Sequence, residues 1–148
     1  MAEVGFYHLT RTSLEEALAP LLGRTLEAGK RAVVRCADDA AVGALDASLW
    51  KVREPVWLPH GSAALGQAAW QPVWLTADDD TPNGATFLFS VAGATIASPE
   101  RFERIFDLFD GGDAAAVAAA RVRWSAMKAS GHTLTYWRQE TRGWRRAG

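Results

Sequence analysis

The sequence predicts an α/β domain: a mostly parallel central sheet flanked by helices in three layers. Two observations carry this. A strand pattern, a helix pattern and a second strand pattern succeed one another by residue 36, the signature of a right-handed crossover between parallel strands. The alternation then repeats from residue 38 to residue 61. The 148 residues suit one core, the commonest domain size being about 100–150 residues, so a single domain is expected over 1–148.

The elements follow in order. "VGFYHL" (4–9) is a β-branched and aromatic run ending at "TRTS", where Thr12 and Ser13 each precede a glutamate by three residues, as a helix start does. Leu14, Leu18, Leu21, Leu22 and Leu26 recur at helical spacing up to Gly29, with Pro20 expected to kink or split the helix. "RAVVRC" (31–36) reads as the second strand and 38–50 as a second helix with acidic residues in its first turn. "PVWLPHG" (55–61) reads as a short strand broken by proline. The runs at 71–76 and 85–92 are separated by Pro and Asn-Gly turn chemistry and are expected to be antiparallel neighbours. Ser98 and Pro99 then open what reads as a helix over 98–111, with Phe102, Ile105, Phe106 and Phe109 on one face. Asp113 caps an alanine-rich helix running to Gly131, and 132–139 is a closing strand or extended tail.

Composition narrows the function classes. Sixteen Lys and Arg against seventeen Asp and Glu give no charge excess for coating nucleic acid. Cys36 is the one cysteine, which excludes an internal disulfide and a thiolate metal cage and fits a cytoplasmic setting. No stretch approaches the roughly 20 apolar residues a membrane helix needs, and no cleavable leader is visible. The turn after the first strand, "HLTRTS", has no glycine to admit phosphate. His8, His60 and His132 show no metal-ligand spacing, Ser62 lacks a nucleophile elbow, and "DDD" (78–80) reads as a solvated turn. No catalytic set, cofactor or metal site is expected.

Seven tryptophans in so short a chain exceed what one core needs, so some should serve recognition. On the alanine-rich helix Val117, Arg121, Trp124, Ser125 and Lys128 fall on one face. A guanidinium beside an indole suits a ligand that ends in a carboxylate next to an apolar group; a solvent face with one core-edge tryptophan is the plainer reading of that spacing.

The stretches "FYHL", "GKRAVV", "LDASLW", "WLPHG", "QPVWLT" with "PNGA", "FERIFDLFDG" and "ARVRW" with "GHTLTYW" are weak one by one. In this order and spacing the chain resembles, over nearly its whole length, the chi subunit family of bacterial DNA polymerase III. The resemblance implies a noncatalytic α/β domain of nucleotide-binding-like topology that uses no nucleotide, an accessory subunit associated with the clamp loader that binds the acidic C-terminal tail of single-stranded-DNA-binding protein, which ends in a phenylalanine carboxylate. It assigns Arg121 to that carboxylate and Trp124 and Trp50 to an apolar wall. The family's two flanking basic positions fall on Val117 and Ser125, leaving Lys128 and Arg123 to attract the tail. For the psi subunit, or another clamp-loader component, it points to Trp57 with Leu58 and Pro59. The competing expectation is direct binding of single-stranded nucleic acid through Arg121, Arg123, Arg138, Arg142, Arg145 and Arg146, with tryptophans as stacking platforms.

Overall fold

A computed structural model of the chain describes residues 2–51, 59–63, 71–94, 96–140 and 143–148. The strands are β1 (Glu3–Leu9), β2 (Ala32–Arg35), β3 (Gly61–Ser62), β4 (Val73–Thr76), β5 (Phe87–Val91), β6 (Arg104–Asp110), β7 (Thr133–Gln139) and β8 (Trp144–Arg146). They form one sheet in the order β3-β4-β2-β5-β6-β1-β7-β8. Every pairing is parallel except that of β7 with β8. The helices are α1 (Leu14–Glu27), α2 (Asp39–Leu49) and α3 (Ala114–Ala129). The expected α/β class, a mostly parallel sheet flanked by helices, is what the chain adopts.

Local chemistry explains the helices. Ser13 caps α1 by accepting from the Glu16 amide and donating to the Glu16 carboxylate at 2.9 Å, a reciprocal cap. Gly29, at φ 77°, supplies the left-handed turn that stops it. Pro20 does not split α1; it sits on the exposed side, where its missing N–H is least costly. Asp38 and Asp113 cap α2 and α3 through their carboxylates.

Side-chain alternation divides the core into two layers. Tyr7, Val34, Leu75, Phe89, Phe106 and Leu108 face the layer of α1 and α2. Val4, Phe6, Val33, Trp74, Leu88, Ile105 and Phe109 face the layer of α3. Trp74 thus serves the core.

Two expectations are corrected. The runs at 71–76 and 85–92 are not antiparallel neighbours, because β4 and β5 both run parallel to β2, which lies between them. Asn83 does not turn a hairpin; its side-chain amide donates to the carbonyls of Ala32 and Gln71, holding the connection across the starts of β2 and β4. Nor is 98–111 a helix. Ser98 has left-handed φ and no side-chain cap bond, Pro99–Arg101 is a single 3₁₀ turn, and the rest is β6. A strand buried on both faces loses the period-two signal and reads as a continuous apolar run. The strand expected at 55–61 falls mostly outside the described residues, and β3 begins only at Gly61.

One polar contact ties α3 to the sheet. Asp107, in mid β6 and 1% exposed, accepts two bonds from Arg123, at 2.6 Å from Nε and 2.9 Å from the terminal nitrogen. Burial still holds its carboxyl above the ordinary range, with Arg123 pulling the other way. Desolvation therefore outweighs the guanidinium's attraction, and the pair fixes position more than it adds stability. Arg123→Ala, which strands the carboxylate, is expected to cost about 3–5 kcal/mol in urea unfolding. Arg123→Leu combined with Asp107→Leu is expected to recover most of that loss.

Candidate functional site: a groove beneath helix α3

The first three turns of α3, with β1, β6 and β7, border a groove of about 300 Å³ lined by Phe6, Phe109, Val117, Ala120, Arg121, Trp124 and Tyr136. Each element contributes by its own period. Val117, Arg121 and Trp124 are four and three residues apart on α3, one face of a helix. Phe6, Phe109 and Tyr136 are the residues of three adjacent strands that alternate toward α3.

The walls are ordered by ring contacts. Trp124 meets Phe6 edge-on at 5.3 Å and Tyr136 at 6.0 Å. Tyr136 is held in turn by a hydrogen bond between its hydroxyl and His8 Nδ1. Burial raises the Tyr136 hydroxyl's pKa, with Arg138 and Arg121 acting against it. Arg121 is exposed at the rim and forms no ion pair among the described residues. An apolar slot with an uncommitted guanidinium at its mouth can hold a carboxylate attached to an apolar group.

The crevice where open α/β sheets hold nucleotides is furnished differently. β1 and β6 are neighbours whose following helices lie on opposite faces, a topological switch point. There the amides of Thr10, Arg11 and Thr12 all donate to Gln139 Oε1, at 3.1, 2.9 and 3.2 Å. On the other side Asp113 accepts from Ala115 and Ala116, and Asp110 from Gly112. The N–H groups that a phosphate would use are bonded to the chain's own oxygens.

The model of the family described as DNA polymerase III chi subunit, HolC, matches residues 1–135. The chain belongs to this family. It is also similar, at 26% identity over 97 residues, to "Probable DNA polymerase III subunit chi" of Rickettsia prowazekii (strain Madrid E). That alignment covers 66% of this chain and 59% of the relative, so the chain spans under two thirds of the relative's length. The chi subunit is an accessory subunit of DNA polymerase III.

Within this chi-family chain the residues expected at the tail site are distributed unevenly. Val117, Arg121 and Trp124 line one groove. Ser125 and Lys128 are exposed farther along α3, outside its lining. Trp50 is not there. It caps α2 in the opposite layer, is 53% exposed, and lies on the His60 ring at 4.1 Å. Trp57, Leu58 and Arg142 lie outside the described residues, and Pro59 is half-buried just before β3. Arg123, expected to attract a ligand, is committed to Asp107. Phe6, Phe109 and Tyr136 were missed by sequence reasoning. Strand parity could have found Phe6 and Tyr136, but Phe109 was hidden by the helical reading of 98–111.

Other candidates for chemistry are engaged structurally. Cys36 is buried and its thiol is pushed up to about 11, chiefly by desolvation. His60 Nε2 lies 3.1 Å from an Asp46 carboxylate oxygen, and His132 accepts from the Ala2 amide. Among the described residues no three His, Cys, Asp or Glu side chains group as a metal site, and no helix is long and apolar enough to cross a membrane.

The groove's support carries a pH dependence. Burial, then the nearby Arg138 charge, lowers the His8 pKa below its ordinary value near 6.5, with Asp110 opposing. The folded state therefore prefers neutral His8. Its contribution is complete above the unfolded pKa and is lost as pH falls through the folded one. Thermal melts from pH 8 down to about pH 5 are expected to show a decline that is shallower in His8→Asn than in the natural chain.

Proposed function

We propose that this chain is a noncatalytic adaptor of the replicative polymerase. It links the clamp-loader assembly to single-stranded-DNA-binding protein by holding that protein's acidic C-terminal tail beneath α3. The observation that carries the reading is Arg121, unpaired among the described residues at the mouth of a slot walled by Phe6, Phe109, Trp124 and Tyr136. The guanidinium suits the terminal carboxylate and the slot suits the phenylalanine ring. Membership of the chi family supports the replisome setting. Val117 forms part of the slot at a position where the family's site carries positive charge, so this tail site relies more on shape and less on Coulomb attraction.

A second partner, psi or another clamp-loader component, is assigned by the resemblance to Trp57, Leu58 and Pro59, of which Pro59 lies among the described residues. Trp50 lies apart from the groove beneath α3, its ring on His60, the residue after Pro59. The rival reading, nucleic-acid binding by the expected arginines, loses members: Arg123 is held by Asp107, Arg145 by Glu140, and Arg146 donates to the Gly148 carbonyl.

Fluorescence anisotropy with a labelled acidic peptide ending in phenylalanine tests the tail site. Arg121→Ala is expected to weaken binding by about 1.5–3 kcal/mol, the range for a hydrogen bond to a charged group, and amidating the peptide's C-terminus should do the same. Trp50→Ala should leave the affinity unchanged. Equal binding by the natural chain and Arg121→Ala would overturn the assignment.

A further inference from the structure

The face opposite α3 carries a second concavity that the adaptor reading does not use. Between α1 and the β6-β1-β7-β8 end of the sheet lies a cleft of about 400 Å³, whose lining includes Tyr7, Arg24, Phe87, Arg104, Trp137 and Trp144. It runs into a neighbouring cleft of about 290 Å³, with which it shares Leu21, Arg24, Gly143 and Trp144, and which reaches Arg11 and Gln139. The two form one trough alongside α1, a helix of 14 residues and hence about 20 Å long.

Its walls combine flat rings with cations. Trp137 lies nearly parallel to Tyr7, at 10° and 6.1 Å, and Trp144 stands at 90° to Tyr7 at 5.0 Å. Arg104 lies over the Phe106 ring at 4.6 Å and acts on the Tyr7 hydroxyl. Arg11, Arg24 and Arg104 form no ion pair among the described residues, including between Arg104 and Glu3, its register partner on β1. The trough's two carboxylates have partners of their own. Glu16 accepts from the Ser13 hydroxyl and Glu140 from Arg145.

We propose that this trough is a binding site for single-stranded DNA, with bases against Trp137 and Trp144 and phosphates on Arg104, Arg24 and Arg11. Charge complementarity decides the occupant. A peptide end offers one terminal carboxylate, whereas three arginines spread along an aromatic trough match a chain with a charge on every unit and a planar group beside it. The DNA polymerase setting of the family selects DNA over RNA. The set differs from the C-terminal arginines considered from sequence and lies across the sheet from the groove of Arg121.

The test is anisotropy of a fluorescein-labelled oligothymidylate against the full chain, titrated over a range of salt. Binding is expected with quenching of tryptophan emission, and Arg24→Gln should lower the salt slope of log K by about 0.7 for its lost phosphate. Trp144→Phe should reduce the quenching. Because Arg24 is exposed on α1, Arg24→Gln is expected to melt as the natural chain does, which separates lost binding from lost folding. Arg121→Ala should bind the oligonucleotide unchanged while losing the acidic peptide, so the two sites fail independently. No oligonucleotide binding, binding indifferent to Arg24→Gln and Arg104→Lys, tighter binding of oligouridylate, or displacement of the DNA by the acidic peptide would each overturn the proposal.

Discussion

Asp107 has no route to water. Its carboxylate lies in mid-strand under α3, and its hydrogen-bond partner is the planar fork of Arg123. A bidentate pair admits little rotation, so α3 has one azimuth and one height on the sheet. That azimuth turns Val117, Arg121 and Trp124 over the rings of Phe6, Phe109 and Tyr136. A purely apolar contact between an alanine-rich helix and a sheet would be far less particular, because alanine faces offer little shape to interlock. The groove thus rests on a charge pair whose carboxylate is costly to bury and whose geometry is directional.

The same economy of polar groups is seen at the crevice where open α/β sheets hold nucleotides. Fold and site are separable, and here the separation is visible atom by atom. Three consecutive amides after β1 converge on Gln139 Oε1, and the first amides of α3 converge on Asp113. Gln139 Nε2 also donates to Thr12 Oγ1 at 2.7 Å, so the end of β7 closes the mouth of the crevice. The amides of the crevice are spent internally, and the two larger concavities described above lie instead on the two faces of the sheet.

Much of this was legible in the sequence where a signal and its cause lie in one short segment. Ser13 with Glu16, Asp38, Asp113, Gly29 and Gly131 mark helix ends by chemistry that needs only near neighbours, and α1, α2 and α3 fall where they say. β6 was illegible for the converse reason. "SPERFERIFDLFDG" carries a helix-start signature and apolar residues at helical spacing, and its being a strand is decided by burial between β5 and β1. The structure sends Phe109 to the α3 layer and Phe106 to the other, a division no helical reading could give. The spacing of Arg121 and Trp124 found half of the groove, since one helix carries it. Trp50 was misplaced because no local pattern says which layer a helix end will join.

Phe6 and Tyr7 are consecutive residues of β1, and they are walls of different cavities: Phe6 of the groove beneath α3, Tyr7 of the trough beside α1. One strand is therefore a party wall between two compartments. The two cavities do not connect across it, yet both rest on the same few peptide units. The separation between them is the thickness of a single backbone, and β6, with Phe109 on one side and Phe106 on the other, and β7, with Tyr136 and Trp137, share that position, so a substitution in any of these three strands is not private to either face.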